Sequence, residues 1–183
     1  MNIVEPIRKR SDIEKIKKGL TPRNRLMFVF GINSALRISD ILKLTVNDVI
    51  DDYGKPRDFV ELKEKKTKKA KRFRLNNSIQ KELKKVEGDP NDYLFKSRKG
   101  ENNAISRVQA YRIIQKAAET VGLDDVKIGT HSMRKTFGYH AYNGGTPLEH
   151  LQIVFNHSSP NDTLKYIGIT QEHIDEVYVE INL

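Results

Sequence analysis

Apolar residues crowd together at Leu26, Met27, Phe28, Val29, Phe30 and Ile32. Pro22 after Thr21 supplies a helix start, so this stretch reads as a helix buried on most of its sides. The chain then turns near Ser34. Ser39 and Asp40 offer acceptors for a second helix start, and Ile41, Leu42 and Leu44 continue its apolar face. From Val46 the pattern shortens to β-prone runs: Val46 to Ile50, Phe59 to Leu62 and Arg72 to Leu75. The turn Asp51-Asp52-Tyr53-Gly54 and the polar tract Glu64 to Ala70 separate them. Together these predict a small antiparallel sheet within 46–75, with a hairpin tip that is nearly all lysine.

The rest of the pattern is helical. Asn76 or Asn77 caps a helix to about Val86, which Gly88, Pro90 and Asn91 break. After an extended piece, Tyr93 to Phe95, and the loop Arg98 to Asn103, a long helix runs from Ile105 to Val121 and closes at Gly122. Thr130 caps the next, which stops at Gly144-Gly145, and Thr146-Pro147, Ser159-Pro160 and Thr170 open three more. No internal repeat interrupts this order. The fold class predicted is mainly α with a small antiparallel β-sheet (α+β), in one domain over 1–183. Residues 1–25 form a basic lead-in to the first helix start, and 170–183 a final acidic helix.

With 183 residues, 37% of them hydrophobic and 31% charged, the chain can bury a core and keep a solvated surface. It contains no cysteine, which removes disulfides, thiolate metal sites and cysteine nucleophiles together. The longest apolar run, Leu26 to Ile32, is far too short to cross a bilayer, and Met1 to Leu20 is too basic and polar for a signal peptide. A soluble, cytoplasmic protein with no membrane partner is expected.

Charge adds a partner. The 33 Lys plus Arg against 24 Asp plus Glu give a formal net charge of +9. Residues 1–25 carry eight basic and three acidic groups, and residues 63–74 eight and one, so these two segments hold the excess. Such concentration suits a polyanion, because each cation placed on a phosphate releases condensed counterions. Taken alone, the same run also fits a solvated face.

A few residues stand out chemically. His131 and Arg134 lie three apart just after a helix start, on one face near its positive end, an arrangement suited to phosphate. Arg37 interrupts the apolar passage Ala35-Leu36 and Ile38 and requires an anionic partner. Asp40 could simply neutralise it, or could hold it aimed at a ligand. His157 in Asn156-His157-Ser158-Ser159-Pro160 and Tyr166 nine residues later are each unremarkable when read singly.

Order and spacing decide the matter. Ser34-Ala35-Leu36-Arg37-Ile38-Ser39-Asp40, Lys65-Lys66-Thr67-Lys68-Lys69, Thr130-His131-Ser132-Met133-Arg134, Asn156-His157-Ser158-Ser159 and Tyr166 follow one another in this sequence. The set resembles the catalytic domain of the tyrosine recombinases, the phage integrase family, from about Pro6 to about Ile181. The resemblance implies a site-specific recombinase that breaks and rejoins double-stranded DNA through a 3′-phosphotyrosyl intermediate, with no cofactor, no metal and no ATP. Arg37, His131 and Arg134 match the family's phosphate-binding residues, Asp40 its usually acidic supporting position, His157 its second histidine and Tyr166 its nucleophile. Lys66, eight residues before Arg74, best matches the hairpin lysine that protonates the departing 5′ oxygen. Lys65, Lys68, Lys69, Lys71 and Arg72 would grip DNA around it.

Those residue types suit the chemistry. Guanidinium groups can donate paired hydrogen bonds to the non-bridging oxygens of a phosphate and stabilise added charge in the transition state. A phosphotyrosyl ester keeps the energy of the broken diester for rejoining.

The sequence also departs from the pattern. Asn156 stands where many relatives have Gly, and tolerates the left-handed angles a turn there needs. Gly168 stands where relatives often carry a histidine. The amino-terminal DNA-clamping domain of typical members is missing, as in compact stand-alone members or in a trimmed chain. Without a clamp, the basic segments must supply more of the DNA grip, and binding is expected to be strongly salt-dependent. The final helix packs on its own domain or docks on a neighbouring protomer, since four subunits of the family assemble on paired DNA sites. A non-catalytic DNA-binding relative and a type IB topoisomerase-like nicking and rejoining enzyme are the alternative functions.

Overall fold

The computed structural model describes residues 4–64, 66, 70–123 and 127–181, with backbone alone for 171, 172, 174, 176 and 177. Its described elements follow the order α1 (Arg10–Gly19), α2 (Pro22–Ser34), α3 (Ile38–Ile41), α4 (Val46–Val49), β1 (Phe59–Lys63), β2 (Ala70–Arg74), α5 (Asn77–Leu83), α6 (Arg107–Thr120), α7 (Thr130–Asn143), α8 (Leu148–Phe155), α9 (Pro160–Ile167) and α10 (Gln171–Glu180). The mainly helical class with one antiparallel ribbon is as expected from sequence. None of the described helices is long and apolar enough to cross a membrane.

Helix α2 is the axis of the large core. Every residue from Leu26 to Gly31 is buried, and α5 and α7 pack along it. A Cβ at Gly31 would stand 2.6 Å from Met133 Sδ, so glycine sets how closely α2 and α7 approach. A second, smaller core joins Ala35 to Leu151 and Phe155 of α8 and Ile167 of α9. Gly138 of α7 performs the same service there, since a Cβ would meet Ile167 and Phe155 at 2.5 and 2.7 Å.

Three sequence expectations are corrected. The basic lead-in contains α1, whose Ile13 and Ile16 are buried one above the other; two isoleucines at helical spacing make a sufficient stripe while the lysines stay solvated. Val46 to Ile50 is mostly helix α4 rather than strand, because Asp48 Oδ2 accepts from Thr45 N at 2.7 Å and from Thr45 Oγ1 at 2.9 Å. That local cap outweighs the β preference of valine and isoleucine. Among the described residues the sheet is therefore β1 and β2 alone, with an isolated bridge between Ile50 and Pro56. Finally, α3 starts at Ile38 with Arg37 in the capping position, and Ser39 and Asp40 fall inside its only turn.

The ribbon's register governs much of the site. Phe59 pairs with Arg74, Val60 with Phe73, Glu61 with Arg72, Leu62 with Lys71 and Lys63 with Ala70. Side chains alternate between faces. Val60, Leu62, Lys71 and Phe73 accordingly face the core, while Phe59, Glu61, Lys63, Ala70, Arg72 and Arg74 face out.

Candidate active site

Arg134 is the most deeply set of the candidate cations, at 3% exposure. Its guanidinium donates to the carbonyl of Ala35 and, at 2.8 Å, to that of Phe155. Both carbonyls belong to helix ends. Ala35 closes α2 and Asn156 closes α8, each in the left-handed conformation, with φ of 53° and 52°. They are the non-glycine residues of positive φ among those described. A left-handed cap leaves terminal carbonyls without an intrahelical donor, and one arginine serves both ends. It also lies over the Phe155 ring, 4.8 Å from its centroid. Two neutral acceptors fix the guanidinium without cancelling its charge.

Arg37 is held differently. Its Nη1 stands 3.2 Å from Glu64 Oε2, and Glu64 is 5% exposed. Sequence reading supplied Asp40 as the partner and did not single out Glu64. Asp40 is buried nearby in α3, whereas Glu64 is the next inward position after Leu62 as β1 ends. The ribbon's alternation from Val60 was the signal that could have found it.

Arg37, Ile38, Ser39, Lys66, Arg107, Thr130, His131 and Arg134 line one cleft of about 480 Å³. The structure thus brings four of the predicted catalytic residues to one concavity and adds Arg107, the first residue of α6, which the motifs did not include. His131 presents an exposed face there. Partial burial, then Arg134, Arg37, Lys135 and Lys66, hold its imidazole below the ordinary histidine value, so at neutral pH it is uncharged and able to accept a proton.

Tyr166 and His157 are not among the residues lining that cleft but pack together beside Arg134. The ring of Tyr166 lies 5.0 Å from that of His157 and 5.4 Å from that of Phe155, and the Arg134 guanidinium is 6.0 Å from its centroid. Burial raises the phenol's pKa, against the charge and hydrogen bond of Arg134 and the charge of Arg37. His157 stacks on Phe155 at 5.3 Å, and its Nδ1 lies 3.1 Å from Thr163 Oγ1. Burial first, then Arg134, lowers its pKa. Helix α9, which carries Tyr166, begins with the Ser159 hydroxyl accepting from Asp162 N at 3.1 Å and ends at left-handed Gly168.

The hairpin residues divide. Lys65, Lys68 and Lys69 lie outside the described residues. Lys66 is exposed and lines the cleft. Arg72 is on the outer face, 3.2 Å from Glu61 and 3.9 Å from the Phe59 centroid. Lys71, expected from the resemblance to grip DNA, points inward instead, and its Nζ donates to the Val154 carbonyl at 3.0 Å.

Known proteins share this arrangement of chain. "Probable integrase/recombinase YoeC" of Bacillus subtilis is 44% identical, over 97% of each chain. "Tyrosine recombinase XerC" of Thermodesulfovibrio yellowstonii is 27% identical over 85% of this chain and 53% of its own, so this chain spans about half of that relative. In fold, the chain is similar to the crystal structure of XerA recombinase, with a TM-score of 0.73, 16% identity and coverage of 98% of this chain and 63% of that one. It is also similar to XerH recombinase in a post-cleavage complex with palindromic difH substrate, with a TM-score of 0.71, 20% identity and coverage of 97% and 53%. Residues 9–173 match the phage integrase family. With nine-tenths of its length inside that match, the chain belongs to the phage integrase family, the tyrosine recombinases.

Proposed function

We propose that this chain is a site-specific DNA recombinase that cleaves and rejoins duplex DNA through a phosphotyrosyl bond at Tyr166. The observation that carries this reading is the convergence of Arg37, Lys66, His131 and Arg134 on one cleft, with Tyr166 packed against the guanidinium of Arg134. A phosphodiester entering the cleft meets two arginines whose remaining N–H groups can take its non-bridging oxygens. The phenol oxygen of Tyr166 attacks phosphorus, the bond to the 5′ oxygen breaks, and a 3′-phosphotyrosyl ester forms.

Two protons move. Neutral His131 takes the phenol proton as general base, and its place in the cleft also lets it orient the phosphate for attack. Lys66 gives its proton to the departing 5′ oxygen, for which an exposed ammonium on a hairpin is suited. When the Thr163 hydroxyl gives its one proton to His157 Nδ1 at 3.1 Å rather than to the Ser159 carbonyl at 3.4 Å, the neutral imidazole carries its proton on Nε2 and can donate to the phosphate. Rejoining reverses each step with the 5′ hydroxyl of another strand, so no external energy enters. Lys65, Lys68, Lys69 and Arg72 would grip the flanking backbone.

Double-stranded DNA is the partner in this reading, supported by the concentrated basic charge and by the DNA complex of XerH. Four copies would assemble on two paired sites. The outward Tyr178 and Val179 of α10, 79% and 82% exposed, offer apolar contacts to a neighbouring copy.

The test is covalent trapping on nicked duplexes selected for binding from a randomised pool. Wild type forms a protein–DNA adduct and then exchanges strands between two such sites, and Tyr166→Phe forms none. An adduct in Tyr166→Phe equal to that of wild type overturns the nucleophile. Trapping without exchange indicates a nicking and rejoining enzyme, and binding without trapping a DNA-binding protein.

A further inference from the structure

Lys71 has no part in the chemistry above, yet it sits inside the site. The strand period puts it on the inner face of β2, opposite Leu62, five residues beyond Lys66 on the same hairpin. Its ammonium donates to the carbonyl of Val154 in the last turn of α8. The next carbonyl along, that of Phe155, is taken by Arg134. One helix end is therefore held by two cations, one from the hairpin and one from α7. Immediately beyond that end come Asn156 and His157.

The charges facing Lys71 come from three other elements. Arg37 and Asp40 belong to α3 and its cap, Glu64 to the end of β1 and Arg134 to α7. Three cations against two carboxylates leave one positive charge in this inner group, the amount a single phosphodiester balances. Burial and the two arginines push the Lys71 ammonium down to about 8, against Glu64 and Asp40, which favour the charged form. Loss of that proton leaves Val154 only the weaker hydrogen bond of a neutral amine and removes the surplus charge.

We propose that Lys71 is a positioning residue that latches the β1–β2 hairpin to the C-terminal turn of α8, so that Lys66 and the His157–Tyr166 pair address the same phosphate. This rests on the recombinase reading. A ribbon of two short strands has few other anchors: Val60 is the one buried side chain of β1 and β2. A hairpin released by an ångström or two would leave Lys66 out of reach of the departing oxygen, and misplacement on that scale costs on the order of 100-fold in rate.

Single-turnover cleavage by wild type, Lys71→Met, Lys71→Arg and Lys66→Ala distinguishes the possibilities, on DNA with the normal 5′ oxygen and with sulfur in its place. A thiolate leaves without needing a proton. Lys71→Met is expected to bind DNA within about twofold of wild type and to cleave normal DNA roughly 10- to 100-fold more slowly. Its defect, like that of Lys66→Ala, shrinks to a few-fold on the sulfur substrate. Lys71→Arg recovers most of the rate and, under subsaturating conditions that report the free protein, moves the alkaline fall upward from near pH 8. It also keeps the test valid should the methionine variant fail to fold. Cleavage by Lys71→Met at the wild-type rate, an equal defect on both substrates, or a defect wholly explained by weaker binding overturns the proposal. No adduct from wild type on either substrate overturns the recombinase reading instead.

Discussion

The two halves of the site hold their cations by different means. On the α7–α8–α9 side, Arg134 rests on two carbonyls and an aromatic face, all neutral. On the hairpin side, Arg37 rests on the carboxylate of Glu64, and Lys71 lies within the field of Glu64 and Asp40. The first half keeps its full charge for a phosphate, and its geometry is set by helix ends that the main core already fixes. The second half is charge-compensated and hangs on a two-stranded ribbon. Rigidity and positive potential thus reside on the nucleophile's side, and adjustability on the side that delivers the leaving-group proton.

The strongest way to break this comparison is Arg134→Ala. It strands two buried carbonyls at the left-handed ends of α2 and α8, at a cost of roughly 2–4 kcal/mol, and removes the guanidinium that faces Tyr166. Adduct formation should fall on the order of 100- to 1000-fold, and the thermal midpoint should drop with it. Arg134→Lys should restore little of either, because an ammonium lacks the planar fork that reaches two carbonyls at once. If the alanine variant loses activity while melting like wild type, Arg134 is held by something other than those carbonyls.

The sequence disclosed the two halves unequally, for the same physical reason. His131, Arg134, His157 and Tyr166, together with Arg37 from the hairpin side, fall in short motifs beside strong helix signals such as Pro22, Ser159-Pro160 and Gly144-Gly145, and their spacing is informative without coordinates. The left-handed turn at Asn156 was also legible, since few residues tolerate that conformation. Glu64 and Lys71 were hidden because they sit in a lysine-rich run whose composition suggests solvent. Only the period of two, counted from Val60, tells an inward charge from an outward one. Arg107 was missed because it begins a helix far along the chain, and nothing in its neighbourhood announces the cleft. Helix α4 was missed because four residues are too few to show a period, leaving the Thr45–Asp48 cap as the sole clue.

Glu64→Ala sharpens the contrast at smaller scale. Arg37 has a side-chain exposure of 19%, so water screens part of the loss, and about 1–3 kcal/mol of stability should go rather than the larger cost of a fully buried pair. An added anion can stand in for the missing carboxylate. Sulfate at constant ionic strength should therefore raise the melting temperature of Glu64→Ala more than that of wild type, while Arg37→Ala, which lacks the cation, should show no such excess. Equal sulfate responses in all three would mean that Arg37 and Glu64 do not depend on one another.

Ser159→Ala probes how much of the rigid half comes from local helix signals rather than from the core. The Ser159 hydroxyl accepts from Asp162 N at the start of α9, and removing such a cap costs about 1 kcal/mol. Pro160 remains to preset the first turn, and Gly168 still closes the helix with a left-handed residue at φ 81°. Ile167, fully buried, still pins α9 against Gly138 and Phe155. Tyr166 should thus stay in place while the helix start frays, and adduct formation should fall by less than tenfold, with a melting shift of a few degrees. A loss as large as that of Arg134→Ala would show that an eight-residue helix, and not the core beneath it, aims the nucleophile; the rigidity assigned to this half would then belong to its cap.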